Sequence, residues 1–139
     1  MISYTNQVKI VMDGVEKLIE DEFNVPVMDT HAGNESIVIM PGEDSLIEHR
    51  TSGMIREYSL DIIYTMSDGG GFERIKDHLT NRAERIKRLL FNYSNYSPSG
   101  AYKWHDGRIE TIEYSQDEDE SDLWIATILF RCTILEATS

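Results

Sequence analysis

The sequence has almost no cysteine. Cys132 is the single one among 139 residues, so no disulfide can form within the chain. With 40% apolar residues the chain can still bury a core that needs no disulfide or metal to hold it. We expect Cys132 to be a small buried apolar residue of a strand, and a reducing compartment fits this composition.

Long hydrophobic runs are also missing. No apolar stretch approaches the ~20 residues that a membrane-spanning helix requires. Residues 1–6 lack the basic and apolar regions of a secretory signal. These absences predict a soluble intracellular protein with no membrane partner.

Basic residues are few, because 13 Lys and Arg stand against 25 Asp and Glu, for a formal net charge of −12. Binding to a phosphate backbone rewards cations, so this balance disfavours ordinary DNA binding. The charge does suit a protein that stays near DNA without adhering to it.

Catalytic and metal-binding motifs are absent as well. The four histidines are not paired at the short spacing typical of metal sites, and we expect them to be ordinary surface residues: they are His31, His49, His78 and His105. No nucleophile elbow or Cys/His pair occurs either. The sequence therefore predicts no enzyme activity, no cofactor and no metal.

Two local runs could suggest a ligand site. Gly69, Gly70 and Gly71 precede a predicted helix, but the Lys of a phosphate-binding loop is missing, so a flexible hinge is expected. The acidic run comprises Asp117, Glu118, Asp119, Glu120 and Asp122. It lacks the central glycine of a Ca²⁺ loop, which predicts a solvated hairpin tip, with weak cation binding as the alternative.

The residues that are present form two amphipathic helices. Apolar residues recur at three-and-four spacing over residues 4–23 and again over residues 72–92, with Arg82 as the one polar break in the second stripe. Gly14 is a weak point of the first helix, since glycine costs about 1 kcal/mol relative to alanine there.

Four strands are predicted around these helices, at residues 36–40, 54–66, 108–114 and 123–136. Pro41 and Gly42 are expected to end the strand before residues 43–53, which should form a long loop or a partly ordered extension. Residues 94–100 are expected to form a loop. Together these elements predict a single α+β domain over residues 1–139. Its antiparallel or mixed sheet of four to five strands packs with two helices in the order α-β-β-α-β-β.

This arrangement resembles the tail terminator proteins of long-tailed phages, the tail-completion or head–tail joining family. The likeness rests on element order, size and hydrophobic texture over nearly the whole chain: a first helix ending near Phe23, strands at 36–41, 58–64 and 124–130, and a helix at 75–90. It includes no diagnostic motif, so no family binding residue can be carried over.

The resemblance implies a homo-oligomeric ring, usually of six subunits, that caps the tail tube and joins it to the head. The implied partners are the tail tube protein and the head-completion or connector protein. The implied location is the tail–head junction of a virion made in the host cytoplasm, where DNA passes without specific binding. We expect interface residues in the 43–53 loop and the glycine hinge, namely Leu46, Ile47, His49, Arg50, Gly69, Gly70 and Gly71. The acidic run is the expected lumen or exposed tip.

A rival hypothesis is an acidic inhibitor or DNA mimic that binds a basic partner surface. Such a protein arrays its carboxylates along one face at near-phosphate spacing. Four arginines interrupt any such array here: Arg50, Arg56, Arg108 and Arg131.

Overall fold

A computed structural model describes residues 1–23, 27–28, 35–67, 72–117, 119 and 123–137. Two helices and six strands lie within this part of the chain. In chain order they are α1 (Gln7–Phe23), β1 (Val27–Met28), β2 (Glu35–Arg50), β3 (Gly53–Ser67), α2 (Phe72–Asn92), β4 (Tyr96–Ser99), β5 (Tyr102–Gln116) and β6 (Leu123–Ala137). The predicted α+β class and helix–strand order are confirmed, with the short strands β1 and β4 added to four long ones.

The strands form one mixed sheet in the order β1-β2-β3-β6-β5-β4. β1 runs parallel to β2, while the other four neighbouring pairs are antiparallel. The central pair β3–β6 is in continuous register from Gly53↔Ala137 to Ser67↔Leu123. Both strands are rich in β-branched and aromatic residues, which favour the half-buried pleated surface at the centre of a sheet.

One face of the sheet carries the core. On β3 the buried set includes Tyr58, Leu60, Ile62 and Tyr64, which alternate along the strand and therefore lie on one face. On β6 the alternate residues Ala126, Ile128, Phe130, Cys132 and Ile134 are buried on the same side. The alternation along β6 also places Trp124 on this side, but Trp124 is only half-buried because it lies near the end of the sheet.

Helix α1 begins three residues later than its sequence pattern suggests. The backbone N–H of Lys9 donates to the side-chain oxygen of Asn6 at 3.1 Å, which makes Asn6 the N-cap that ends the non-helical segment. Val11, Val15, Leu18, Ile19 and Phe23 are buried against the sheet, so the predicted apolar stripe is a core stripe.

Helix α2 covers the same face of the sheet as α1. Leu79, Ala83, Ile86 and Leu90 are buried in a single cluster with the α1 stripe and the core residues of β3 and β6. The polar break at Arg82 has a structural reason. Its guanidinium lies 5.3 Å from the centre of the Phe23 ring and 3.4 Å from the Glu35 carboxylate, which satisfies the charge at the edge of the core.

The prediction of a loop over residues 43–53 is wrong. β2 continues through Pro41 and Gly42 to Arg50, with register shifts between Pro41 and Asp44 and between Leu46 and Glu48. At the first shift the backbone N–H of Glu43 donates to the Ser59 hydroxyl at 2.7 Å. A bulge of this kind absorbs a proline–glycine pair without ending the strand.

The loop predicted over residues 94–100 also contains regular structure, because Tyr96–Ser99 forms β4 beside β5. Tyr96 packs between Tyr93 and Trp104, with ring centroids 5.2 and 5.1 Å away. The indole N–H of Trp104 donates to the Tyr93 carbonyl oxygen at 2.8 Å. These aromatic contacts hold β4 in place. The Ser/Pro-rich sequence of β4 gives no sign of them.

Candidate assembly interface

The residues predicted as an interface loop lie in residues 43–50 of β2, the outer half of this strand in the β2–β3 hairpin and here named the β2 arm. Leu46 is 52% and Ile47 58% exposed, and His49 and Arg50 are exposed beside them. Two large aliphatic side chains in an ordered strand form the kind of exposed apolar surface that marks interaction sites. Their exposure fits the predicted interface role, which stays a prediction.

Ion pairs fix the base of this hairpin. The Arg56 guanidinium on β3 lies 2.5 Å from the Asp44 carboxylate on β2 and 3.9 Å from the Glu136 carboxylate on β6. Glu136 also accepts a hydrogen bond from the hydroxyl of the buried Tyr58. Burial, and then the bond to Glu136, raises the pKa of Tyr58 above its usual value. Three strands are therefore tied together where the hairpin leaves the helix-covered core.

The end of β2 carries its own exposed pair, with Arg50 and Glu48 at 3.0 Å. The hydrogen bond from Arg50 lowers the pKa of the Glu48 carboxyl. Glu43, at the other end of the exposed segment, reaches Arg131 only at 4.0 Å and keeps a 69% exposed side chain. The segment therefore presents acidic groups on both sides of Leu46 and Ile47.

The other predicted site residues fall mainly outside the described part of the chain. Gly69, Gly70, Gly71, Glu118, Glu120 and Asp122 all lie outside it, as does His31. The Asp117 N–H donates to the Leu123 carbonyl at 2.9 Å, and the Asp119 N–H donates to the Asp117 carboxylate at 2.8 Å. The register Gln116↔Trp124 puts these acids at the end of the sheet opposite the β2–β3 turn. Among the described residues, Asp117 and Asp119 therefore lie at the other end of the sheet from Leu46 and Ile47.

An ion-pair network occupies the face of the sheet away from the helices. Glu57 on β3 lies 3.0 Å from Arg108 on β5 and 3.3 Å from Arg131 on β6. Arg131 is also paired with Glu110. The hydrogen bond to Glu57 raises the pKa of Arg108 above its usual value. Charges of both signs alternate across three strands here, so this face is not an acidic array.

Sequence patterns missed a second exposed surface, on the flank of α2 next to β5. Glu84, Lys87, Arg88 and Phe91 follow three-and-four spacing along this flank. Phe91 is 70% exposed, and Tyr114 on the adjacent β5 is 47% exposed. A signal was available in the sequence, because α2 carries six basic and three acidic side chains while the rest of the chain carries 7 and 22. The net charge is thus +3 on α2 and −15 elsewhere.

The remaining candidate groups are one cysteine and the described histidines. Burial raises the pKa of the Cys132 thiol to about 12, which leaves it a poor nucleophile. His78 Nε2 lies 3.9 Å from Glu35, and His49 and His105 are exposed. Among the described residues, no group of three or more His, Cys, Asp or Glu side chains is arranged to hold a metal. Neither of the two described helices combines the length and apolar composition needed to cross a membrane.

A scan of the sequence against family models and against curated proteins finds no match. The fold, in contrast, is similar to that of a chain in the solved structure described as the virion of a native gene transfer agent (GTA) particle. The TM-score is 0.64 at 12% sequence identity, and the match covers 96% of this chain and 99% of that one. At this identity the likeness shows a shared fold.

Proposed function

We propose that this chain is a structural protein of a phage-like virion. It forms a ring that caps the tail tube and joins it to the head. The observation that carries the proposal is the end-to-end fold likeness to a virion chain, since 96% of one matches 99% of the other. A match over nearly the full length of both chains makes the whole domain the shared unit.

The surface of the chain supports a packing role. The β2 arm places Leu46 and Ile47 outside the core, on a strand whose position is fixed by Arg56, Asp44 and Glu136. A rigid strand with exposed aliphatic residues loses little conformational entropy when a neighbour covers it. The proposed ring therefore uses this arm as an intersubunit contact, with the tail tube and the head connector as further partners.

The charge of the chain fits a ring through which DNA passes. With a net charge of −12 the protein repels the phosphate backbone as a whole. No catalytic role is part of the proposal. The rival DNA-mimic function is less well supported, because Glu57 and Glu110 are neutralised by Arg108 and Arg131 on the helix-free face.

The test is assembly of the purified chain, alone and with tail tubes, followed by light scattering and negative-stain electron microscopy. We expect closed rings for the wild type. The double variant Leu46→Ser/Ile47→Ser should keep the wild-type melting temperature but lose rings. A matched control, Ile2→Ser/Tyr4→Ser, changes exposed residues ahead of α1 and should assemble normally. Absence of rings from the wild type under every condition, tubes included, would count against the proposed function itself.

A further inference from the structure

Both outer edges of the sheet are only partly covered by their short neighbouring strands. β1 pairs with Ile37 and Val38 alone, and β4 pairs with Tyr102 and Trp104 alone. Within the described part of the chain, residues 39–50 of β2 and 108–115 of β5 have no strand on their outer side. A free edge exposes backbone donors and acceptors that can pair with another chain.

The β5 edge borders a groove whose lining suits a binding segment with both acidic and apolar side chains. Lys87, Arg88 and Phe91 of α2 line one wall, and Arg108 and Ile109 of β5 line the other, around an open volume of about 290 Å³. Phe91 supplies a largely exposed ring. Glu84 is the acidic partner shared by Lys87 (2.6 Å) and Arg88 (3.4 Å), so this wall keeps a net positive charge.

The β2 arm has the complementary character. Leu46 and Ile47 project as aliphatic groups, and Glu43 and Glu48 flank them with exposed carboxylates. Pro41 and the two bulges on this strand protect it from indiscriminate edge pairing. Pairing of the β2 arm with another chain then depends on its side chains, and the groove offers cationic and aromatic groups that complement them.

We propose that the β2 arm of one copy docks into the α2–β5 groove of the next copy, alongside the free edge of β5. This proposal depends on the proposed ring, and it specifies the two surfaces that form the contact between neighbouring subunits. Because β2 and β5 lie on opposite sides of the sheet centre, one subunit uses both surfaces at once. Such a head-to-tail contact repeats around an axis and closes when the rotation fits.

The experiment uses two one-sided variants of the full chain. The arm variant carries Leu46→Asp and Ile47→Asp, and the groove variant carries Arg88→Glu and Phe91→Asp. Each should self-associate at least about 30-fold more weakly than the wild type, the change in Kd expected at an interface hot spot. An equimolar mixture should form a heterodimer and stop there, since the arm variant keeps an intact groove and the groove variant an intact arm. Sedimentation velocity measures both results, and circular dichroism establishes that each variant is folded.

A control variant with Tyr4→Asp and Lys9→Glu makes similar charge changes away from both surfaces and should assemble like the wild type. Normal rings from the groove variant would overturn the groove assignment while leaving the ring proposal standing. The groove assignment would also be overturned if the two variants were folded but formed no heterodimer when mixed. Dimerisation of the groove variant through two arms would overturn it as well. A wild type that remains monomeric with and without tubes would remove the ring and this contact together.

Discussion

Gly14 of α1 lies so close to Trp104 of β5 that a Cβ at position 14 would sit 3.0 Å from Cζ3 of the indole. The same Cβ would come within 2.6 Å of the Pro98 Cβ on β4. Gly14 lowers the helix propensity of α1, but its missing side chain is what lets α1 approach the β4–β5 hairpin so closely.

This closeness predicts the sign of a substitution. Gly14→Ala should destabilise the fold by about 1–3 kcal/mol, because overpacking outweighs the gain in helix propensity. Urea denaturation measures the change. Asn81→Ala, at an exposed position inside α2, is the matched control and should leave stability equal or slightly higher. Increased stability of Gly14→Ala would show that Pro98 and Trp104 move aside freely.

A second prediction concerns the centre of the core. Phe130 is fully buried and packs edge-on against Trp104, with centroids 5.7 Å apart. Phe130→Ala should cost about 3–5 kcal/mol, as large-to-small core changes do. Leu135→Ala lies on the same strand but is 59% exposed, and its melting temperature should remain near that of the wild type. Equal melting temperatures for both variants would reject the described orientation of β6.

Two buried tyrosines provide a matched pair. Tyr58 donates to Glu136, so Tyr58→Phe should destabilise by about 1.5–3 kcal/mol, the value of a hydrogen bond to a charged group. The hydroxyl of Tyr64 has no hydrogen-bond partner among the described residues, although Glu35 is near enough to raise the pKa of Tyr64, second to burial. Tyr64→Phe should therefore cost little or even stabilise. Chemical denaturation of both variants decides between these outcomes.

The raised pKa of Tyr58 also predicts an alkaline effect. The unfolded chain loses the phenolic proton above about pH 10, whereas the folded chain keeps it, so stability is complete below that pH and falls above it. Tyr58→Phe should show a shallower loss of unfolding free energy between pH 9 and 11. A slope identical to the wild type would mean that Tyr58 titrates normally in the folded state.

The last prediction concerns duplex DNA. We expect no measurable binding at physiological salt, because the net charge of −12 opposes counterion release. If the protein does bind DNA, we expect the excess of basic residues on α2 to form the binding surface. Fluorescence anisotropy with a labelled duplex, repeated with Arg88→Glu, tests it. Tight binding that falls steeply with salt and disappears in the variant would show that α2 alone governs the interaction.

Much of the architecture was predictable because its signals are local. The three-and-four stripes of α1 and α2 and the alternation along β3 depend on residues close in sequence. The continuation of β2 past Pro41 was not predictable, since it depends on the Ser59 hydroxyl that accepts the Glu43 N–H across the bulge. β4 likewise depends on Tyr96 meeting Trp104, a tertiary contact that Ser/Pro-rich sequence does not show.

The candidate interface shows the same division. Leu46 and Ile47 were identifiable as exposed aliphatic residues in a polar segment. Phe91 was not, because its neighbours Leu89 and Leu90 belong to the core side of α2 and hide it in the apolar pattern. Only the arrangement of α2 over β5 shows that this ring points away from the core.

The pairing of β3 with β6 has a consequence for how the chain is made. The register joins Gly53 to Ala137 and Ser67 to Leu123, with α2 and two further strands between them in sequence. During translation β3 leaves the ribosome before β6 has been made, so at that stage only its edge toward β2 can be paired. Closing such a distant pair costs entropy before any contact repays it, which makes folding slow. The β6-facing edge of β3 therefore stays unpaired until residues 123–137 emerge, and only then can the central pair form.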